Sequence, residues 1–237
     1  MSYENFAYYY DSLMDQKFYD DYNNFINTHT TAFKTVLEIG CGTGETAIRL
    51  AKNGKKVYAT DLSQDMIDVC RLKAMNENVE LMLARIDMTD FQINQEVDLV
   101  LCLCDSLNYV LNKKAVKQTF KNVFDALKHN GTFIFDVDSL YKMDNLLNNY
   151  NEEQDDPDFY FYWHVDNIGP GEVKHHVVIK DKENNDSVDE IHHQKTLKLE
   201  IYVEMLKEVG FTKIDYYSDF LEYKEKCERI IFVCRKD

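Results

Sequence analysis

The chain has 237 residues, with 27 Lys and Arg against 42 Asp and Glu, and so carries a formal charge of −15 at pH 7. An apolar content of 45% over this length supports a buried core without staples, and 2 Pro and 8 Gly exclude collagen-like and low-complexity classes. Charge of this sign repels phosphate backbones and argues against DNA as a partner, while an RNA partner held in a local groove stays open.

No basic segment followed by an apolar one opens the chain, so no secretory signal is predicted. The longest apolar runs, such as 97–103, are strand-sized and fall far short of a ~20-residue membrane span. The expected location is cytoplasmic, with no membrane association and with the cysteines reduced. No C-x-x-C pair occurs. Cys102 and Cys104 share an apolar run where thiols serve as small hydrophobes, and no metal site is expected.

Residues 1–30 are rich in Tyr, Phe and Asp, and Phe18, Tyr22, Phe25 and Ile26 recur at helical spacing. The pattern predicts an N-terminal helical cover lying on something larger. A buried strand over 35–39 then meets the turn Gly40-Cys-Gly-Thr-Gly44, and a helix over 45–52 ends before Gly54. The next strand, over 56–60, ends at Asp61, and Ser63 caps a helix bearing Met66, Ile67 and Cys70. Further strands are predicted over 79–83 and 97–103. A helix over 113–129 buries Val116, Phe120, Val123 and Leu127, and a fifth strand follows over 132–137. Strands alternating with helices imply an α/β, Rossmann-like, doubly wound, mostly parallel sheet covered on both faces.

After Val137 the alternation stops. Residues 151–158 hold five acids and Pro157 and read as a solvated loop. Three strands without helices between them, over 159–166, 173–181 and 188–196, predict a small antiparallel β insertion over 159–196, serving as a lid or as a homodimer contact. A helix over 197–208 and strands over 212–217 and 229–234 complete a seven-stranded sheet, and a single domain over 1–237 is expected.

The segment Glu38-Ile-Gly40-Cys-Gly42-Thr-Gly44 lies between a strand and a helix, where glycines allow a sharp turn and a close ligand approach. Asp61 ends the next strand about twenty residues on, where an acid accepts ribose hydroxyls. Together they predict an adenosine-type ligand. The dinucleotide fingerprint is G-x-G-x-x-G, and here the third glycine comes one residue early.

In that spacing, Val36 to Gly44 resembles the first motif of the class I S-adenosylmethionine-dependent methyltransferases. The resemblance covers nearly the whole chain and takes in Asp61, the stretch Arg85-Ile-Asp87-Met88, and Asp98 to Asn108. It implies a reversed last strand and S-adenosyl-L-methionine as cofactor. Gly40, Gly42 and Gly44 would approach the methionine half, whose ammonium the Glu38 region favours. Asp61 would hold the ribose, Leu62 and Met66 would lie beside the adenine, Asp87 would take the adenine amino group, and Met88 would pack on the ring. Leu103 and Cys104 would offer backbone near the sulfonium. The opening Tyr3 to Asp11 is similar to small bacterial members whose aromatic-rich segment covers the cofactor, which implies that Tyr10 reaches the active site. Packing is the expected role of Tyr8 and Tyr9.

Methyl transfer is an in-line displacement, and a general base matters only when the acceptor must lose a proton. Candidates are Asp105, Asn108, Asp136, Asp138 and His192. On the last insertion strand Glu190, His192 and Gln194 share a face and, by similarity to related enzymes, are expected to line a pocket for a small-molecule or other soluble acceptor. Two other readings stay open at this point: a nicotinamide-dependent oxidoreductase, and a non-catalytic domain that binds cofactor or a protein partner.

Overall fold

The computed structural model describes residues 7, 9, 15–184 and 186–237. Helix α1 (Gln16–His29) starts where the Asp15 side chain accepts from the Lys17 N–H, and it buries Tyr19, Tyr22, Phe25 and Ile26. Then follow β1 (Thr35–Ile39), α2 (Glu45–Lys52), β2 (Lys56–Asp61), α3 (Gln64–Asn76), β3 (Met82–Arg85) and β4 (Val97–Cys102). A short 3-10 turn (Ser106–Tyr109) leads to α4 (Lys113–Ala126) and β5 (Leu127–Asp138). After a π-type turn (Lys142–Leu146) come β6 (Asn151–Asp155), β7 (Phe159–Gly169), β8 (Glu172–Asp181) and β9 (Asp186–Lys195). The chain closes with α5 (Leu199–Val209), β10 (Lys213–Ser218), β11 (Leu221–Glu222) and β12 (Arg229–Arg235). No described helix is long and apolar enough to cross a membrane.

The main sheet runs in the order β11-β10-β12-β5-β4-β1-β2-β3. Its strands from β3 to β5 are parallel, and β12 runs antiparallel to both β5 and β10. Period-2 alternation sends Leu37, Ile39 and Val100 into one core with Phe120, Tyr202 and Leu206 of α4 and α5. The opposite side chains, Val36, Leu99 and Leu101, pack with Tyr22, Ala47 and Ile67 of α1, α2 and α3. Strand order reverses at β1, which pairs with β2 on one side and β4 on the other. In open α/β sheets the crevice beyond the carboxyl ends at such a point is where ligands bind.

The expected solvated loop at 151–158 is corrected in part: Asn151–Asp155 is an edge strand paired antiparallel with β7, from Asn151 opposite His164 to Asp155 opposite Tyr160. Its five side chains are all exposed, so it shows no apolar alternation, and only the backbone bonds of the hairpin it makes with β7 mark it as a strand. The main sheet likewise gains the two-residue edge strand β11 over the seven strands expected. Helix α4 stops at Ala126 because Leu127 already pairs with Val97 of β4. The second sheet has the order β6-β7-β8-β9, and its last strand packs against the 3-10 turn and Asp105 beyond β4. Asn108 fastens it there, donating from Nδ2 to the Lys195 carbonyl (2.8 Å) and accepting at Oδ1 from the Asp138 N–H (2.9 Å).

Asp98, the acid that interrupts the apolar β4, clamps β4 to β1. Its Oδ2 accepts from Lys34 N (2.9 Å), Thr35 N (2.8 Å) and Thr35 Oγ1 (2.9 Å), and its Oδ1 accepts from Lys128 Nζ (2.7 Å). Burial alone would push this carboxyl up, but Lys128 and the two N–H groups outweigh it and hold it well below the usual carboxylate range. A depressed folded pKa contributes stability that is present above the unfolded value and lost as pH falls through the folded one. Asp98→Asn should therefore cost ~1.5–3 kcal/mol in urea denaturation at pH 7. The gap to the unaltered protein should narrow only as pH drops below about 4.

Candidate functional site

The turn after β1 places three glycines at positive φ, +66° for Gly40, +53° for Gly42 and +80° for Gly44, but for three different reasons. At Gly40 a Cβ would stand 2.7 Å from Ser106 Cβ and 3.2 Å from Met88 Cε, because the Ser106 hydroxyl donates to the Gly40 carbonyl (3.0 Å). Gly44 is the N-cap of α2, and a Cβ there would lie 2.2 Å from the Cys70 sulfur of α3. Gly42 alone of the three faces open space, with nothing within 4 Å of a Cβ.

Asp61 at the end of β2 is tied to this turn. Its Oδ2 accepts from Gly42 N (2.8 Å) and its Oδ1 from Ser63 N (2.9 Å). Burial pushes its carboxyl up, and the Ser63, Gly42 and Leu62 N–H groups pull against it. Leu62, 61% exposed, and half-buried Met66 flank it, and Arg85 Nε donates to the Leu62 carbonyl (2.9 Å). Asp87 is exposed and closes a small turn, accepting from Thr89 N (2.8 Å) and Thr89 Oγ1 (2.7 Å). Glu38 is 3% exposed, and its Oε2 has no hydrogen-bond partner among the described residues. Burial, with Cys70 and Asp61 nearby, pushes the Glu38 carboxyl well up, against the Ala47 N–H.

Beyond β4, Leu103 is buried, and Cys104 (φ 56°) and Asp105 (φ 52°) both adopt the left-handed region, a conformation costly for side-chain-bearing residues. The Asp105 N–H donates to Asp136 Oδ2 (2.8 Å). The Asp105 carboxylate accepts from Arg229 Nη2 at Oδ1 (3.0 Å) and from Gln194 Nε2 at Oδ2 (2.8 Å). Burial raises its pKa, yet Arg229, Lys142 and Gln194 outweigh that and leave it lowered, so Asp105 is an ionised acceptor and a poor proton sink. Asp136 is fully buried and pairs with Arg229, while Asp138 pairs with Lys142 Nζ (3.0 Å). Burial and the charge of Asp105 push the Asp138 carboxyl up to about 6.

On the insertion, Glu190, His192 and Gln194 do share one face. His192 Nε2 lies 3.2 Å from Glu190 Oε2, and its ring meets Tyr109 edge-on with 6.0 Å between centroids. Tyr9 packs beside Phe161, Val177, Ile179 and Val188 on the same sheet, as expected of a packing residue. Tyr10, like Tyr3 and Tyr8, lies outside the described residues. Sequence reading missed Arg229 and Lys142. The only available signal was a lone arginine opening the apolar run Ile230 to Val233. Among the described residues no group of three His, Cys, Asp or Glu side chains could hold a metal ion.

Residues 36–131 match the model of a family described as "Methyltransferase domain". "Putative methyltransferase YqeM" of Bacillus subtilis (strain 168) is 35% identical, with 100% of this chain and 98% of that protein covered. A protein of the same description from Geobacillus sp. (strain WCH70) is also 35% identical, with 100% of both chains covered. The solved structure of an S-adenosylmethionine-dependent methyltransferase from Clostridium acetobutylicum ATCC 824 superposes at TM-score 0.87 and 29% identity, covering 98% of this chain and 97% of that one. The chain belongs to the class I S-adenosylmethionine-dependent methyltransferases.

The cofactor of this methyltransferase is S-adenosyl-L-methionine, and two features of the site fit it. Open space at Gly42 leaves a cradle that a side chain would fill, and the unpartnered Glu38 Oε2 suits a ligand bearing positive charge. The three glycines should therefore separate by substitution. Gly42→Ala should weaken S-adenosylhomocysteine binding in calorimetry while costing only the ~1–2 kcal/mol of left-handed backbone. Gly44→Ala should add an overpacking penalty of ~1–3 kcal/mol, which Cys70→Ala in the same chain should recover.

Proposed function

We propose that this methyltransferase alkylates a small-molecule acceptor held between the carboxyl ends of β1, β4 and β5 and the inner face of the β6–β9 sheet. The observation that carries the reading is the Asp61–Gly42 junction at the point where strand order reverses, opening onto clear space. On this reading Asp61 accepts the ribose hydroxyls, Asp87 and Met88 address the adenine with Leu62 and Met66 as its other wall, and Gly40 to Gly44 with Glu38 receive the methionine half. Backbone at Leu103 completes the cofactor side.

Bound S-adenosylmethionine supplies an electrophilic methyl on a sulfonium. The protein's part is alignment and exclusion of water, and alignment of two reactants is worth up to ~7–11 kcal/mol in favourable cases. Asp105, held ionised, orients an acceptor N–H or O–H by accepting from it. His192, backed by Glu190 at 3.2 Å, stands on the lid side to take a proton when the acceptor must lose one. A small acceptor is supported by relatives named "Glycine/sarcosine N-methyltransferase" from Parasynechococcus marenigrum (strain WH8102), 30% identical over 105 residues, and "Ubiquinone biosynthesis O-methyltransferase" from Idiomarina loihiensis, 31% identical over 115.

Asp61→Ala should weaken S-adenosylhomocysteine binding by ~1.5–3 kcal/mol, the worth of hydrogen bonds to a charged group. Calorimetry on the unaltered and altered chains checks it; an unchanged dissociation constant removes Asp61 from the ribose. NADH titrated in parallel should bind far more weakly than S-adenosylhomocysteine, and the reverse order would overturn the reading.

A further inference from the structure

Asp105 is gripped from two sides. Arg229 reaches its Oδ1 from the main sheet (3.0 Å), and Gln194 reaches its Oδ2 from β9 of the second sheet (2.8 Å). Behind Gln194 runs a further line of bonds. His175 Nε2 lies 2.9 Å from Gln194 Oε1, and Trp163 Nε1 donates to His175 Nδ1 at 3.1 Å. The two ends determine every choice between them. A carboxylate only accepts, so Gln194 must present its amide N–H₂ to Asp105 and its carbonyl to His175. An indole N–H only donates, so His175 Nδ1 must be bare and its proton must sit on Nε2. Each link is satisfied by one amide orientation and one neutral tautomer.

We propose that Gln194 is a positioning residue that aims Asp105 at the acceptor, and that it does so only while His175 is neutral and held by Trp163. This rests on the role given to Asp105 above. The position needs such support, because Cys104 and Asp105 are consecutive non-glycine residues in left-handed backbone. Gln194 and His175 are 4% and 8% exposed, so water is a poor substitute partner for either. Seating the second sheet and orienting Asp105 thereby become one event. Protonating His175 would set two N–H donors against each other at Trp163 and break the line at its middle. Burial opposes that proton, and the charged groups that bear on His175 are Asp105 beyond β4, His192 opposite it on β9, and Lys142 after β5. Asp105 favours the proton, while His192 and Lys142 oppose it.

Trp163 is the single tryptophan of the chain, so its fluorescence reports the line directly. In the full-length protein its emission should titrate with a midpoint below the ordinary histidine value of about 6.5. Asp105→Asn should lower that midpoint by about one pH unit, although Asp105 is two hydrogen-bond partners away from Trp163, and Gln194→Met should lower it as well. His176→Gln, a change on the opposite face of the sheet, should leave it in place. In the other direction, NMR of [13Cγ]aspartate-labelled protein should show the Asp105 carboxyl titrating higher by about one unit in Gln194→Met. A smaller upward shift is expected in Trp163→Phe, which keeps the proposal testable if Gln194→Met fails to fold. An emission midpoint indifferent to Asp105→Asn, or an Asp105 carboxyl indifferent to both lid variants, would overturn the proposal. Calorimetry with S-adenosylhomocysteine on the same samples separates the two levels: failure of the unaltered protein to bind it defeats the proposed function, whereas intact binding with no coupling defeats this inference alone.

Discussion

A buried guanidinium governs the architecture of the site. Arg229 enters from β12, the one strand of the pair at the end of the chain that opposes β5, and meets Asp136 within β5, Asp105 beyond β4 and Asp138 at the end of β5. Taking an ion out of water costs several kcal/mol, so none of these groups is tolerable alone, and removing any one strands the rest. Three carboxylates face two cations, Arg229 and Lys142, which leaves one surplus negative charge among the five groups. Burial together with the charge of Asp105 lifts the Asp138 carboxyl to about 6, and the Asp136 carboxyl is pushed up as well. The reversal of β12 is thus more than a way to finish a sheet, since it delivers the cation that lets three acids gather at the carboxyl ends of β4 and β5.

The cofactor and acceptor sides of the site are joined through few atoms. Ser106 stands against Gly40, and its single O–H has the Gly40 (3.0 Å) and Leu103 (2.8 Å) carbonyls as its two acceptors, so the glycine turn and the strained Cys104–Asp105 step share one hydroxyl. Asp61 does the equivalent for the other flank by holding the Gly42 N–H. Negative charge is distributed according to use. The acids of β6 lie on an exposed edge, where charge discourages pairing with another strand, whereas Glu38 and Asp61 flank the glycine turn with carboxyls pushed up by burial.

Local chemistry was enough to read most of the α/β order. Ser63 capping α3, Gly210 ending α5 and the near-continuous apolar runs of β1, β4 and β5 are signals that sit within a few residues of the elements they define. The glycine turn and Asp61 were legible for the same reason, because a strand, a turn and the next strand's end form a unit of some twenty-five residues. Asn151–Asp155 was not legible as a strand, since exposed polar side chains carry no period and the partner that orders them is β7. Nor was the acid network, whose members come from residues 105 to 229 and meet only after the sheet is assembled.

The sequence by itself determined the class of protein, its cofactor and the glycine turn with its strand-end acid, because backbone turns, caps and strand-end acids act on neighbours along the chain. Tertiary structure alone decided why each glycine is a glycine: Ser106 crowds the first, open space faces the second and Cys70 presses on the third. It alone also decided that Asp105 is held by one arginine and one glutamine, from 124 and 89 residues away. Those contacts depend on which strands become adjacent and which run reversed, and a burial-driven assembly writes no local signal for that.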